Sequence, residues 1–494
     1  MTSTELLRVV THLGSPTVLL AGDFMLDSYI FGDALRISPE APVQVLKVMD
    51  RQYCAGGAAS VAADITTLDA RCHCVGTIGQ DPEGRRLLEL LAEMKADSSG
   101  ILTLADRPTI SKQRVIGLAQ HRHRQQLLRI DDECTVPLSP KQYDQLYELF
   151  KAGLAACDLV CLQDYNKGML DDGFCRRLIE AARQAGKRVL VDPPLKNDYS
   201  KFTGASIITP NRKETSMAVG FSIDRIEDAA RAAALLREQL QLEAVVITLD
   251  KEGSYLRTAD IDEHLPTIPL TVYDVTGAGD MMLAMLAVAM AGGCDIRTAL
   301  QLANIASGIE VGKFGVATVS IDEIVNEIIQ CNKGKIGKIR EDLPILLREL
   351  EYRRKQNETI VFTNGCFDVL HRGHIEYLNF CRRQGDIVVV GLNSDSSVRA
   401  IKGPDRPINN QKDRASVLAA LEFVDYIVTF DEPDPLRLIQ QIQPNVLVKG
   451  ADWAQKGVIG REFVESCGGR VELAPIVEGK SSTDLINKLG KDRT

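Results

Sequence analysis

Tryptophan is nearly missing from this chain, one residue in 494, and Phe, Trp and Tyr together supply only 5% of it. Proteins that hold single-stranded nucleic acid stack bases on aromatic rings, so this composition argues against that class. Positive charge is also in short supply: 58 Lys and Arg against 67 Asp and Glu leave a net charge of −9. Such a surface does not coat nucleic acid, although it permits local basic pockets for small phosphates. Long apolar runs are absent too. The most apolar stretch, Met281 to Ala291, has 11 residues, short of the ~18 a membrane span needs, and reads as a buried helix. The N-terminal MTSTELLRVVTHLGS carries Glu5 and Arg8 inside its short apolar stretch and so lacks a signal-peptide core. The 12 cysteines are scattered singly, and Cys72-His73-Cys74 has no second ligand pair at zinc-finger spacing. A cytoplasmic protein is expected. No G-x-x-x-x-G-K-[ST] or G-x-G-x-x-G occurs, which excludes P-loop chemistry and gives no support to a dinucleotide fold.

What is present is the balance of a globular protein, 45% hydrophobic and 25% charged, in a chain long enough for two or three domains. Short β-branched runs alternate with amphipathic stretches, as in Thr17-Val-Leu-Leu-Ala, Leu159-Val-Cys-Leu and Ala244-Val-Val-Ile-Thr. That alternation predicts a parallel sheet covered by helices on both faces. Tyr29 to Tyr53 and Ile110 to Ile130 alternate apolar and polar residues instead, and read as a small, partly solvated flap. The basic, glycine-punctuated stretch from Cys331 to Arg340 suggests a linker. The division expected is an α/β domain over 1–330, a linker over 331–355 and a second α/β domain over 356–494.

In the first domain, Asp274-Val-Thr-Gly-Ala-Gly-Asp280 leads directly into the apolar Met281 to Ala291. Gly277, Ala278 and Gly279 at a helix N-terminus offer backbone amides to a transferring phosphoryl group. Asp280 is placed to take the proton of an attacking hydroxyl. Other segments fall in a telling order: Gly22-Asp-Phe-Met-Leu-Asp27, Gly56-Gly57-Ala-Ala-Ser60, Thr209-Pro-Asn211-Arg212-Lys213-Glu214 and Gly312-Lys-Phe-Gly315. With Asp280 they resemble the ribokinase-like (PfkB) sugar kinases. The resemblance implies a three-layer α/β/α domain with a β-flap, and ATP with Mg²⁺ at Asn211 to Glu214. It also implies sugar contacts at Asp27, Gly56, Gly57 and Ser60, where the family usually has Asn in place of Ser60. His121-Arg-His-Arg124 and Arg129 would bring cations to a sugar that already carries a phosphate. No direct metal ligand is identified.

The second domain opens with the strand Ile360-Val-Phe and then Thr363-Asn-Gly365-Cys-Phe367-Asp-Val-Leu-His371-Arg-Gly-His374. Both imidazoles stand at a helix N-terminus, where they can stabilise charge growing on a phosphorus. Lys402, in a Gly/Pro-bounded loop, adds positive charge, and Asn393-Ser-Asp395 ends a strand on the ligand-binding edge of an open α/β sheet. T-x-G-x-F-D followed by H-x-G-H resembles the nucleotidyltransferase superfamily, which implies a Rossmann-like fold. Thr363, Gly365 and Phe367 would bind ATP, and Ser481, Ser482 and Thr483 would hold its outgoing phosphates.

The order of the two domains resembles the family of bifunctional heptose 7-phosphate kinase/heptose 1-phosphate adenylyltransferases. That implies two ATP- and Mg²⁺-dependent reactions on heptose phosphates, supplying ADP-heptose for lipopolysaccharide core. A separate bisphosphate phosphatase would act between them, since no D-x-D-x-[TV] motif occurs. A homodimer is the family expectation, with no nucleic-acid or membrane partner. Two alternatives stay open: another sugar kinase/nucleotidyltransferase fusion, since base choice is not legible in the motifs, and a non-catalytic sugar-nucleotide sensor.

Overall fold

The computed structural model describes residues 3–117, 125–267, 277–313, 317–331, 337–340, 342–454 and 457–475. The chain divides between Ile328 and Ile329 into two compact units. Among the described residues, no helix is long and apolar enough to cross a membrane.

In the first unit, nine described strands form one sheet. From Ala244–Thr248 it runs through Ile207–Ile208, Val189–Asp192, Leu159–Gln163, Thr17–Gly22 and Arg71–Gly79 to Asp97–Leu104, all parallel. Ser254–Arg257 and Asp262–Leu265 add an antiparallel edge. The central strands Thr17–Gly22 and Leu159–Gln163 are buried along nearly their whole length, as a sheet covered on both faces requires. One face carries Pro140–Leu154, Asp172–Gln184 and Ile226–Leu240, whose Phe150, Leu178 and Leu236 join the core. Ala58–Thr67, Ala278–Ala291 and Ile296–Val311 form a second helical layer. The Met281–Met290 stretch is buried throughout, the buried helix that its composition requires.

The flap is a separate four-stranded sheet in the order Gln44–Gly57, Phe24–Ile37, Ile110–Gly117, Gln125–Asp132. Tyr29, Phe31 and Ile116 form its small buried cluster. Ile37, Met49, Leu128 and Ile130 remain exposed.

The second unit holds a six-stranded parallel sheet among the described residues. Its order is Ile339–Arg340, Tyr426–Phe430, Ile387–Asn393, Ile360–Gly365, Val446–Gly450, Arg470–Ala474. The strand order therefore reverses beside Ile360–Gly365, the point at which open α/β sheets bind ligands.

The linker expected over 331–355 is corrected here. Ile339–Arg340 pairs with Tyr426–Phe430, and the helix Leu343–Lys355 buries Leu346 and Leu350 in the core of the second unit. Arg340 Nη2 donates to Glu349 Oε2 at 3.0 Å, and the Tyr426 hydroxyl donates to Glu349 Oε1 at 2.5 Å, all buried. A fragment 356–494 loses two buried leucines and the acceptor of a buried tyrosine, together worth several kcal/mol. Fragment 337–494 is expected to unfold cooperatively in urea, and fragment 356–494 to show a much weaker transition or none.

Candidate active sites

In the first unit, the carboxyl ends of Thr17–Gly22, Leu159–Gln163 and Val189–Asp192 face the helix Ala278–Ala291. Gly277 caps this helix at φ +98°, a left-handed conformation that glycine adopts without strain. A side chain there would collide with the Glu310 carboxylate. The first-turn amides are thus available to an anion. Asp280 sits in that turn, buried. Gln163 Nε2 and the Tyr165 hydroxyl both donate to Asp280 Oδ1, each at 3.0 Å. Burial, and then the charge of Asp192, push the Asp280 carboxyl up to about 7, against the pull of Tyr165 and Ser60. Ser60, expected at the sugar, is thus within reach of the candidate base. Gln163 Nε2 also donates to Asp192 Oδ2 at 2.8 Å.

Asn211 and Glu214 form a capping box on the helix Arg212–Val219. The Asn211 side chain accepts from the Lys213 and Glu214 amides at 2.9 and 3.0 Å, and Glu214 Oε2 accepts from the Asn211 amide at 2.8 Å. Burial, and then the Asp192 charge, push the Glu214 carboxyl up to about 8, far above an ordinary carboxylate. Two desolvated carboxylates that repel each other suit a hard divalent cation shared with phosphate oxygens. Among the described residues, no group of three His, Cys, Asp or Glu side chains could hold a metal ion by itself. Arg212 departs from the expected ATP contact. Its guanidinium pairs with Asp250 at 3.2 Å, bonds the Ile223 carbonyl at 2.7 Å and meets Glu252, which fastens the helix to the neighbouring turn. Lys213 is exposed.

Asp27 lies buried at the base of the flap, paired with Arg114 Nη1 at 3.0 Å. Lys112 is its register partner on the next strand, and Lys112 Nζ stands 5.2 Å from the centre of the Tyr165 ring. Burial raises the Asp27 carboxyl, and Arg114, Lys112 and Arg129 draw it back. Gly56 packs on that carboxylate, where a Cβ would stand 3.0 Å from Asp27 Cγ, and Gly57 turns the chain at φ +55°. Arg129 reaches Asp131 through Nε at 2.9 Å and Nη2 at 2.8 Å. His121–Arg124, Asp274–Thr276 and Phe314–Gly315 lie outside the described residues. Lys112, Arg114, Gln163, Tyr165 and Asp192 escaped the sequence reading. Lys112 and Arg114 sit two apart on a flap strand, so strand alternation could have found them.

In the second unit, His371 caps the helix Arg372–Arg382 and His374 lies in its first turn, the two rings stacked 3.9 Å apart. Phe367, held at φ +44°, packs on His374 with centroids 5.3 Å apart. A cleft of about 270 Å³ is lined by both histidines, Gly365, Phe367, Lys402 and Lys449, with Trp453 also at its wall. Burial, then the charges of His371 and Lys402, lower His374 from 6.5 to about 4, so its imidazole is neutral at pH 7. Lys449 Nζ bonds Asn364 Oδ1 and stands 5.5 Å from the Trp453 ring centre. Neither Lys449 nor Trp453 belongs to a motif recognisable in the sequence.

Thr363 departs from the expected ATP contact. It is fully buried, and its hydroxyl lies 2.6 Å from that of Tyr377, which in turn donates to the Val448 carbonyl at 3.0 Å. It supports the cleft floor. Asp395 and Asn393 brace the sheet edge: Arg414 Nη2 bonds Asp395 Oδ1 at 2.7 Å, and Asn393 Nδ2 donates to Ser397 Oγ at 3.0 Å. Ser481, Ser482 and Thr483 lie outside the described residues.

Two protein families match the chain. Residues 17–323 match the pfkB family of carbohydrate kinases, and residues 362–485 match the cytidylyltransferase-like family. The chain is thus a bifunctional transferase, a carbohydrate kinase joined to a nucleotidyltransferase, and ATP and a sugar phosphate are its implied substrates. Chemistry of this kind uses a divalent metal. The "Bifunctional protein HldE" of Pelobacter propionicus is 42% identical over 482 residues, covering 97% of each chain. That of Syntrophotalea carbinolica is 40% identical over 491 residues and covers 99% of each. The chain belongs to the family of bifunctional HldE proteins, and its domain pair fits a heptose phosphate kinase/adenylyltransferase. Among solved structures, Arabidopsis thaliana ribokinase complexed with ribose and ATP aligns at TM-score 0.51 and 19% identity, covering 64% of this chain and 99% of that one. Phosphofructokinase-2 from Escherichia coli in its tetrameric inhibited form aligns at 0.54 and 19%, with the same coverage. These two likenesses establish the fold of the first unit.

The low value of His374 has a consequence for stability. Between pH 6.5 and about 4 the unfolded chain binds a proton that the folded unit refuses. The second unit is therefore expected to lose stability as pH falls through that window. His374→Gln should flatten this part of the profile in urea unfolding measured from pH 7 to pH 4.

Proposed function

We propose that this protein catalyses two ATP-dependent steps of ADP-heptose synthesis. The first unit transfers the γ-phosphoryl group of ATP to O1 of D-glycero-D-manno-heptose 7-phosphate. The second joins AMP from ATP to heptose 1-phosphate, releasing pyrophosphate. The observation that carries the kinase half is a single buried carboxylate, Asp280, held in the first turn of a glycine-capped helix with its acidity near neutral. At that value it can take the proton of the O1 hydroxyl as O1 attacks the γ-phosphorus and ADP leaves. The Gly277, Ala278 and Gly279 amides would stabilise the charge on the transferring group. Asp27 would hold sugar hydroxyls beside Gly56, Gly57 and Ser60, while Lys112, Arg114 and Arg129 would meet the 7-phosphate.

Asn211 and Glu214, with Asp192, would hold Mg²⁺ against the ATP phosphates. The ion would neutralise phosphate charge. In the second unit, His371, His374 and Lys402, which line one cleft, would surround the α-phosphate, and Ser481, Ser482 and Thr483 would grip the departing pyrophosphate. Gly365 and Phe367 shape the cleft. A separate phosphatase must remove the 7-phosphate between the two reactions. The exposed Ile37, Met49, Leu128 and Ile130 support a homodimer formed through the flap, and a cytoplasmic enzyme fits these substrates.

The resemblance of the second unit to cytidylyltransferases favours one rival reading, CTP in place of ATP. Mass spectrometry of products made from heptose 1-phosphate with each nucleotide separates the two: ADP-heptose is expected, and CDP-heptose as the main product would contradict the proposal. Asp280→Asn should lower sugar phosphorylation by about 10²–10⁴-fold and leave pyrophosphate release intact. His374→Ala should do the reverse. With Asp280 near 7, kinase kcat/KM should fall about tenfold per pH unit below that value, because the protonated carboxyl is no base.

A further inference from the structure

The proposed base is not set by its own helix alone. Gln163 ends the strand Leu159–Gln163 in register with Asp192 on one neighbouring strand and Gly22 on the other. It is fully buried, and its Nε2 reaches two carboxylates, Asp192 Oδ2 at 2.8 Å and Asp280 Oδ1 at 3.0 Å. Two residues on, the Tyr165 hydroxyl donates to the same Oδ1 at 3.0 Å. The Tyr165 backbone is fixed in turn, since its amide donates to the buried Asp23 Oδ2 at 2.9 Å. The Gln163 Oε1 is buried with no hydrogen-bond partner among the described residues. A glutamine that points both amide hydrogens at carboxylates, with its carbonyl unmatched, is oriented by those carboxylates and orients them in return.

We propose that Gln163 and Tyr165 are positioning residues for phosphoryl transfer, their two donors pinning Asp280 Oδ1 so that Oδ2 receives the proton of the sugar hydroxyl. In this step the O–H bond breaks, its proton passes to Oδ2, and the oxygen forms a bond to the γ-phosphorus. The bond from that phosphorus to the β–γ bridging oxygen breaks, and ADP departs with the electron pair. Two donors on one oxygen occupy its lone pairs, which leaves Oδ2 as the open proton acceptor and fixes its direction. Tyr165 bonds the charged form, so it holds the carboxylate ionised at lower pH than burial alone allows. Gln163 further ties the base to Asp192, which sits on the side of Asn211 and Glu214.

The idea rests on Asp280 being the base, and the test separates the two. In the full-length chain, kinase kcat, both KM values and the pH profile are measured for Tyr165→Phe, Gln163→Leu and Asp280→Asn, with pyrophosphate release from the second unit as a folding control. Tyr165→Phe removes one oxygen atom; it is expected to lower kcat by roughly 10-fold and to move the acid limb of kcat/KM to higher pH. Its KM values should stay within about twofold of the parent. Gln163→Leu is expected to lower kcat by roughly 100-fold. Adding either change to Asp280→Asn should cost nothing further, because no base remains to be positioned. Loss of kcat with an unmoved acid limb, or a rise in KM alone, overturns the proposal. If Asp280→Asn is inactive while both other variants stay within twofold of the parent, positioning fails and the base stands. An active Asp280→Asn would sink the base reading itself, and the proposal with it.

Discussion

In a parallel sheet every strand delivers its carboxyl end, and so its loop, to the same edge, and both candidate sites depend on this. In the first unit Gly22, Gln163 and Asp192 all end parallel strands and lie in register across three of them. In the second, Gly365 and Gly450 end the two strands between which the order reverses. Helix N-termini gather on that edge as well: Ala278–Ala291 with Asp280 in one unit, Arg372–Arg382 with His374 in the other. Anion binding follows from geometry before any side chain is chosen.

The two units then tune their ionisable groups in opposite ways with the same force. Burial disfavours charge, so it raises Asp280 to about 7 and lowers His374 to about 4. A raised carboxylate suits proton removal from an alcohol; a neutral imidazole suits hydrogen bonding to a phosphate that is already anionic. Asp64, buried within the helix Ala58–Thr67, is raised as well by burial, Glu310 and Asp280. Carboxyls raised in this way carry less charge at pH 7 than the formal count of −9 assigns them, whereas Lys112, Arg114, Lys402 and Lys449 supply positive charge where phosphates would bind.

Much of this architecture was legible in the chain. Glycines mark the anion-binding turn at Gly277 and the flap boundary at Gly56-Gly57, because a left-handed backbone at Gly277 and Gly57 and the close Asp27 carboxylate at Gly56 leave little choice of residue. The supporting residues were not legible, since Gln163, Tyr165 and Lys449 are ordinary residues on strands and loops far from the motifs they serve. Only strand register brings Gln163 beside Asp192. The helix Leu343–Lys355 differs from the expected linker for a related reason. Leu346 and Leu350, spaced one turn apart, make the stripe of any surface helix, and nothing local shows which sheet they cover. Arg212 and Thr363 stand inside motifs yet serve packing, because a motif's residues divide between ligand and scaffold.

The central claim is that this chain carries two independent catalysts linked only by a released intermediate. Mixing Asp280→Asn and His374→Ala variants with heptose 7-phosphate, ATP and a sugar-bisphosphate phosphatase tests it most directly, with ADP-heptose formation followed over time. The account predicts sustained product formation, at about half the rate of the parent enzyme at equal total protein. No product, although each variant retains its own half-reaction, would contradict it.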